Sequence, residues 1–442
     1  MRRAARPLLY GGVLLIALGL AQVHAHFIGH YELTDTPRWG WTFAYAAVLS
    51  VLAYGFGLPD VPRTSRSSVG VAVGAALAGA VAFSLLQLVV GDELLPRFVV
   101  FGTAVLLPDW YRLCVGMAAG GRSRAEARDR VVVVAQPREV EELDIELHAS
   151  PERPASITGS FTVDQITGPG SIPLDVRLAG ERPTVIVLDR VAQDEPDIVT
   201  QVATLHERGV RVRSLTLFYE EWLGKVPISE LERATLLFDI GEVHHAGYAR
   251  AKRVLDVPLA IAGCSVLLVV LPLVVLGNLV GNRGPLFYRQ DRVGRYGSTF
   301  SIVKFRTMTP RDSGELNDEW TAVDDPRITP FGRLLRVTHV DELPQVINIL
   351  RGDLSVVGPR PEQPHYVDGL SEKLPFYPLR HLVRPGLTGW AQVKFGYAGD
   401  ERDALQKLQY DFHYLRQQST AFDLRIIART IRSVVGSQGR GR

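Results

Sequence analysis

The sequence predicts a membrane protein built in three parts: four N-terminal transmembrane helices, an α/β module, and a mixed α+β domain entering the membrane through a re-entrant helical hairpin. Three observations carry this. Apolar residues crowd into the first 118 positions and into 254–280. Basic residues fall on alternate sides of the apolar runs. Between the two apolar regions, short β-branched runs alternate with a helical pattern. The parts divide as 1–120, 121–248 and 249–442.

Bulk composition supports the division. The chain of 442 residues carries a net charge of +2 with 46% hydrophobic residues, which excludes nucleic-acid binding driven by total charge. The two cysteines, Cys114 and Cys264, lie in or beside apolar stretches without metal-ligand spacing, and read as small buried hydrophobes.

Runs 8–27, 41–57 and 69–90 are almost uninterrupted apolar sequence, and 94–118 is a fourth, with Arg97, Asp109 and Arg112 toward its ends. A bilayer core needs roughly 20 such residues in helix. The first run has no convincing small-residue cleavage site and three more runs follow it, so it reads as an uncleaved anchor. Arg2, Arg3 and Arg6 precede the first run, Arg63 and Arg66 follow the second, and Arg122, Arg124, Arg128 and Arg130 follow the fourth. The opposite loops carry only Arg38 and Arg97. This positive-inside pattern puts both ends of the set, and everything after 130, in the cytoplasm, with the helices in the inner membrane.

The run 254–280 is long enough to cross, yet Arg250, Lys252 and Arg253 precede it, and Arg283, Arg289, Arg292 and Arg295 follow. Two basic flanks favour a hairpin that dips in and returns, with Pro272 breaking or bending the helix at its middle. A fifth span kinked at that proline is the competing reading.

In 131–248, VVVVA (131–135), TVIVLD (184–189) and VRVRSL (210–215) read as buried strands, and 194–208 has helical spacing. The pattern is Rossmann-like but degenerate: QPREVEEL follows the first strand, where a dinucleotide site needs G-x-G-x-x-G. No bound nucleotide is expected, and the module reads as docking, dimerising (a homodimer) or regulatory. The Pro-, Gly- and Ser-rich stretch 150–183 reads as loop.

Chemistry concentrates after 281. Residues 284–308 read as a hairpin turning near 294–297 and delivering Lys304 and Arg306 together. Arg333 and Arg336 precede an adjacent acid pair, Asp341 and Glu342, in HVDELPQ. Arg360 stands between two prolines in GPRPE, and Asp411 lies in YDFHYL. Singly, each reads better as an ordinary side chain: Lys304 as a surface lysine, Arg360 as a loop cap, Asp411 as part of a solvated helix face. Together they supply carboxylates and fixed cations, the parts that phosphoryl transfer uses with Mg2+.

The runs KRVLD, GPLFYRQDRVG, KFRTM, DELPQVINILRGD, GPRPE and RPGLTGWAQV, in this order over 249–435, resemble the catalytic domain of the bacterial sugar transferases. These are polyprenyl-phosphate hexose-1-phosphate transferases of the monotopic type, and the four spans and middle module resemble its longer members. Departures are small: His339–Val340 before the acid pair, and Leu354 where methionine is common. The resemblance implies transfer of a sugar 1-phosphate from a nucleoside-diphosphate sugar, such as a UDP-sugar, to undecaprenyl phosphate, starting exopolysaccharide, capsule or O-antigen assembly. It implies Asp341 as nucleophile through an aspartyl-phosphosugar, with Glu342 and Asp411 holding Mg2+. Arg336 and Lys304 are expected to act beside the pair, and Arg360, Arg306 and Arg333 to meet substrate phosphates. Polytopic phosphoglycosyl transferases need more spans than this chain offers. An assembly or signalling protein on the same fold would not need the intact charged set. No residue pattern identifies the sugar.

Adjacent acids on a helix point about 100° apart, so Asp341 and Glu342 suit two targets rather than one shared proton. Pro344 places them in or just before a first helical turn. In 421–435, Phe422, Leu424, Ile427, Ile431, Val434 and Val435 interleave with Arg425, Arg429 and Arg432. This is the pattern of a helix at a lipid interface, or equally of a core-packing helix with a basic outer face.

Overall fold

The computed structural model describes residues 2–59, 65–90, 93–119, 129–150, 155–168, 172–178, 180, 182–227, 245–282, 284–309, 325, 327–374, 376–395 and 401–435. Of the basic residues used for orientation, Arg63, Arg122, Arg124, Arg128 and Arg283 lie outside these. Two compact units form: Met1–Gly120 with Gly241–Arg442, and Gly121–Ile240.

The N-terminal helices are α1 (Arg2–Val23), α2 (Arg38–Gly55), α3 (Ser65–Val90) and α4 (Arg97–Ala119). They pack in a ring, each on its two sequence neighbours and α1 on α4. Leu9, Val13, Tyr45, Leu49, Phe83, Leu107 and Tyr111 fill its centre. The buried Tyr45 hydroxyl needs a partner there and finds Thr103 Oγ1 at 2.6 Å. Four described helices are long and apolar enough to cross a membrane: Pro7–Gly29, Val69–Leu88, Arg97–Ala118 and Tyr248–Gly281. The expected span 41–57 corresponds to α2, which is not among the four. Its 18 residues are long enough, but Arg38, Trp39, Trp41, Tyr45 and Tyr54 lower its mean hydropathy.

The second unit is a parallel sheet of β1 (Asp129–Val134), β2 (Ala155–Phe161), β3 (Val185–Leu188) and β4 (Arg211–Ser214), in the order β2-β1-β3-β4. Alternate residues of β1 enter opposite cores. Val131 and Val133 pack under Leu143 and Leu147 of α5 (Pro137–Ala149), while Val132 and Val134 pack under Ile198, Val202 and Leu205 of α6 (Pro196–Glu207). β2 lies in the stretch read as loop: ASITGSF is glycine-containing and mostly half-buried, so edge pairing rather than apolar alternation defines it. Where a dinucleotide fold would offer free amides, Asp189 accepts from Gln136 N at 2.9 Å and Ala192 N at 2.7 Å.

The C-terminal part begins with α7 (His245–Gly281), 37 residues without a break. A break at Pro272 is not found, since helical hydrogen bonding runs on past it. Pro258 and Pro272 both lie on the exposed side. The inner stripe, Ala260, Leu267 and Val274, is buried against Ile349, Phe305, Leu335 and Val346, and this packing holds the helix across the missing N–H. The outer face leaves Val254, Leu268, Leu273, Leu276, Leu279 and Val280 more than half exposed.

The hairpin β5 (Phe287–Val293) and β6 (Thr299–Phe305) pairs Phe287 with Phe305 and Val293 with Thr299, turning where the glycines indicate. Then come α8 (Pro330–Val337), α9 (Val346–Arg351), β7 (Ser355–Val357), α10 (Pro364–Lys373), β8 (Gly386–Thr388), α11 (Glu401–Arg416) and α12 (Thr420–Val435). The two readings of 421–435 resolve toward packing: Ala428 of α12 abuts Gly55 of α2, Ile431 joins the bundle core, and Thr430 bonds Thr388 of β8 at 2.7 Å.

Candidate active site

The acid pair sits on a 3-10 helix, Val340–Gln345, just before the first α-turn of Val346–Arg351. His339 enters it in the left-handed region (φ 55°), and Pro344 lies inside it. Three residues per turn set neighbouring side chains about 120° apart. Val340, Leu343 and Ile347 face the α7 stripe, which leaves Asp341 and Glu342 to the other side. Upstream, Thr329 caps α8, its Oγ1 accepting from Gly332 N at 2.8 Å. Gly332 is needed there, because a Cβ would lie 1.9 Å from the Thr307 carbonyl oxygen.

Lys304 reaches the pair from β6. The fully buried Asn348 of α9 fixes that strand: its Oδ1 accepts from Val303 N at 3.2 Å and its Nδ2 donates to Ser301 O at 2.8 Å. Lys304 Nζ then donates to Glu342 Oε1 at 2.7 Å, and Arg360 Nη2 donates to the same oxygen at 3.0 Å. Burial opposes ionisation of Glu342, but the two cations prevail and hold its carboxyl below the usual range. Asp341 differs. Burial, and then the Glu342 charge, push its carboxyl up to about 6, against the pull of Lys304, Arg336 and His339. Its carboxylate makes no hydrogen bond among the described residues.

Arg336 lies within electrostatic reach of Asp341 and is held by Thr307 Oγ1 at 3.0 Å and Met308 Sδ at 3.1 Å. Arg306 follows Lys304 at the end of β6, its backbone held by Leu286 O and by Asn282 Nδ2, its Nε buried. Arg333 is exposed on α8. Asp411 is not brought to the pair. It lies 1% exposed, its Oδ2 accepting from Arg380 Nη2 at 2.8 Å. Sequence reasoning missed Arg380 and Asn348, since neither stands in a charged cluster of the chain. The amide in QVINIL, polar among apolar neighbours, was the one available signal.

Among the described residues, no three His, Cys, Asp or Glu side chains gather as a metal cage. The pair nevertheless fits Mg2+, which commonly takes one or two carboxylates and completes its shell with substrate phosphates. Glu342 is ionised, and its Oε2 has no hydrogen bond among the described residues.

Residues 247–437 match the family described as bacterial sugar transferase. A UDP-glucose:undecaprenyl-phosphate glucose-1-phosphate transferase of Caulobacter vibrioides is 41% identical over 186 residues, 42% of this chain and 69% of that protein. A UDP-N-acetylgalactosamine-undecaprenyl-phosphate N-acetylgalactosaminephosphotransferase of Aeromonas hydrophila is 42% identical over 156 residues, 35% of this chain and 37% of that protein. A UDP-glucose:undecaprenyl-phosphate glucose-1-phosphate transferase of Xanthomonas campestris pv. campestris is 36% identical over 222 residues, 49% of this chain and 44% of that protein. The match thus spans less than half the length of the last two. The chain belongs to the bacterial sugar transferase family.

Proposed function

We propose that the protein transfers a sugar 1-phosphate from a UDP-sugar to undecaprenyl phosphate through a covalent aspartyl intermediate. The observation that carries this reading is the asymmetry of the pair. Glu342 is neutralised by Lys304 and Arg360, while Asp341 keeps an uncommitted carboxylate with its charge state near neutrality. In the first step an Asp341 carboxylate oxygen attacks the β-phosphorus, the bond to the bridging oxygen breaks, and uridine monophosphate leaves. In the second a phosphate oxygen of undecaprenyl phosphate attacks the same phosphorus and releases Asp341, giving undecaprenyl-diphosphate sugar. Lys304, Arg360, Arg306, Arg333 and Arg336 offer positive charge to the diphosphate. Glu342 would hold Mg2+, which offsets phosphate charge when bound.

The acceptor is a lipid, and the placement of α7 suits it. Lys252 pairs with Asp423 at one end, while Asn278 and Asn282 bond Gly284 O and Arg306 O at the other. Along the whole stripe between them α7 carries the domain that holds the site, so crossing the bilayer would drag polar β6 and α8 with it. The reading is a helix embedded by its outer face, with both ends on the cytoplasmic side. Exposure to UDP-sugar alone, read by intact-protein mass, tests the chemistry: a sugar-phosphate adduct on wild type and none on Asp341→Asn is expected. Turnover by Asp341→Asn at the wild-type rate would refute it.

A further inference from the structure

Arg360 sits in GPRPE, where Pro359 and Pro361 donate no N–H, so the segment is held through its carbonyls. Four successive carbonyls each take a donor from a different place. Pro359 O accepts from Gly386 N at 2.9 Å, and Arg360 O from Arg380 Nη2 at 3.0 Å. Pro361 O accepts from Arg292 Nη1 at 3.2 Å, and Glu362 O from Val293 N at 2.9 Å. The second is the one that acts on Arg360 itself. The Arg380 guanidinium is 4% exposed, and the same Nη2 also donates to Asp411 Oδ2 at 2.8 Å, while Nη1 donates to the Tyr377 hydroxyl.

We propose that Arg380 is a positioning residue for the transfer reaction: anchored by Asp411 and Tyr377, it fixes the backbone of Arg360 so that the Arg360 guanidinium meets Glu342. Arg380 is too enclosed to touch substrate, and Asp411 acts through it rather than as a metal ligand. A planar guanidinium is required because one group must serve Asp411, Tyr377 and a carbonyl at fixed angles. A lysine ammonium satisfies the charge of Asp411 without reproducing that fork. The inference rests on the transferase reading above.

The test is a double-mutant cycle between Arg380→Lys and Arg360→Gln, read as uridine monophosphate release from UDP-sugar by the full-length protein in undecaprenyl-phosphate-containing nanodiscs. Arg380→Lys should cost about tenfold or more in kcat/KM with a near-unchanged thermal midpoint. In the Arg360→Gln background it should cost almost nothing further, because the residue it positions is gone. If Arg380→Lys does not fold, Arg380→Met/Asp411→Leu replaces it, since a buried pair exchanged as a whole for apolar side chains commonly leaves stability intact. Additive losses, or wild-type kcat/KM in a folded variant, would overturn the proposal. A wild type that neither releases uridine monophosphate nor carries an adduct would instead sink the transferase reading.

Discussion

Lys304 and Glu342 form a 2.7 Å ion pair whose acceptor oxygen also takes Arg360 at 3.0 Å, and the next carboxylate along the chain, Asp341, shares in neither contact. Two acids adjacent in sequence therefore live in opposite electrostatic settings. One is compensated and stays ionised. The other is held by burial and by its neighbour near the point of taking up a proton.

The first consequence is a pH dependence. With the Asp341 carboxyl pushed up to about 6, it is largely neutral below that pH and a poor nucleophile. Formation of the sugar-phosphate adduct from UDP-sugar alone should rise through about pH 6 and level off above about pH 7. Single-turnover adduct formation followed by mass across this range checks it. A rate flat from about pH 5 upward would contradict the assignment.

The second consequence is a pair of stability effects of opposite sign. Asp341 has a folded pKa above the ordinary carboxylate value, so the folded state binds more protons than the unfolded between about pH 4 and pH 6. Wild type loses stability as pH rises through that window. Asp341→Asn does not, so at pH 7 it should be more stable by about 1–2 kcal/mol, allowing for the water that reaches the side chain. The gain should vanish below about pH 4. Glu342→Gln should do the reverse at pH 7, costing about 3 kcal/mol, because it leaves the Lys304 and Arg360 charges without their partner. Thermal midpoints in detergent at about pH 4 and about pH 7 decide both. Equal shifts of the same sign would mean that the two carboxylates act as one unit.

Much of this site was readable before the fold. The glycines at 294 and 297 placed the hairpin turn, and the observed register then puts Lys304 opposite Tyr288. That Lys304 meets Glu342 was not readable, because the contact depends on Asn348 bridging β6 to α9, a tertiary arrangement without local periodicity. Asp411 looked like a free carboxylate because its partner, Arg380, is 31 residues away. Pro272 suggested a broken helix because a missing N–H is a local fact, whereas the packing of Phe305 and Leu335 that holds α7 together is not. The interleaved arginines of α12 were equally compatible with lipid and with protein. Tertiary contacts separate the two, the close approach of Ala428 to Gly55 among them.

That approach carries the third prediction. A Cβ at Gly55 would lie 1.6 Å from the Ala428 Cβ and 2.9 Å from its Cα, so no rotamer relieves the clash. Gly55→Val should push α12 from α2, lowering the detergent thermal midpoint by an amount equivalent to about 1–3 kcal/mol and exposing α12 to protease. Gly11→Val is the control, since nothing lies within 4 Å of its added Cβ. Equal behaviour of the two variants would mean that α12 does not pack on α2 in solution.

The last prediction concerns how α7 meets the bilayer. Both of its ends are tied to the domain that holds the site: Arg253 donates to the carbonyls of Ile349 and Leu350 near one end, and Asn282 donates to Arg306 O past the other. On the proposed placement both attachments stay on the cytoplasmic face, whereas a crossing helix would carry them to opposite faces. Single cysteines at Ala249 and Ser298, in a background with Cys114 and Cys264 replaced, should therefore both resist a membrane-impermeant maleimide applied to intact cells. Both should react after permeabilisation. A cysteine at Thr36, between α1 and α2 on the side poor in arginine, should react without permeabilisation and so reports that the reagent reaches the outer face. Labelling of Ser298→Cys but not Ala249→Cys from outside would make α7 a true span. The packing of α8 and β6 along it would then have to be abandoned with the in-plane placement.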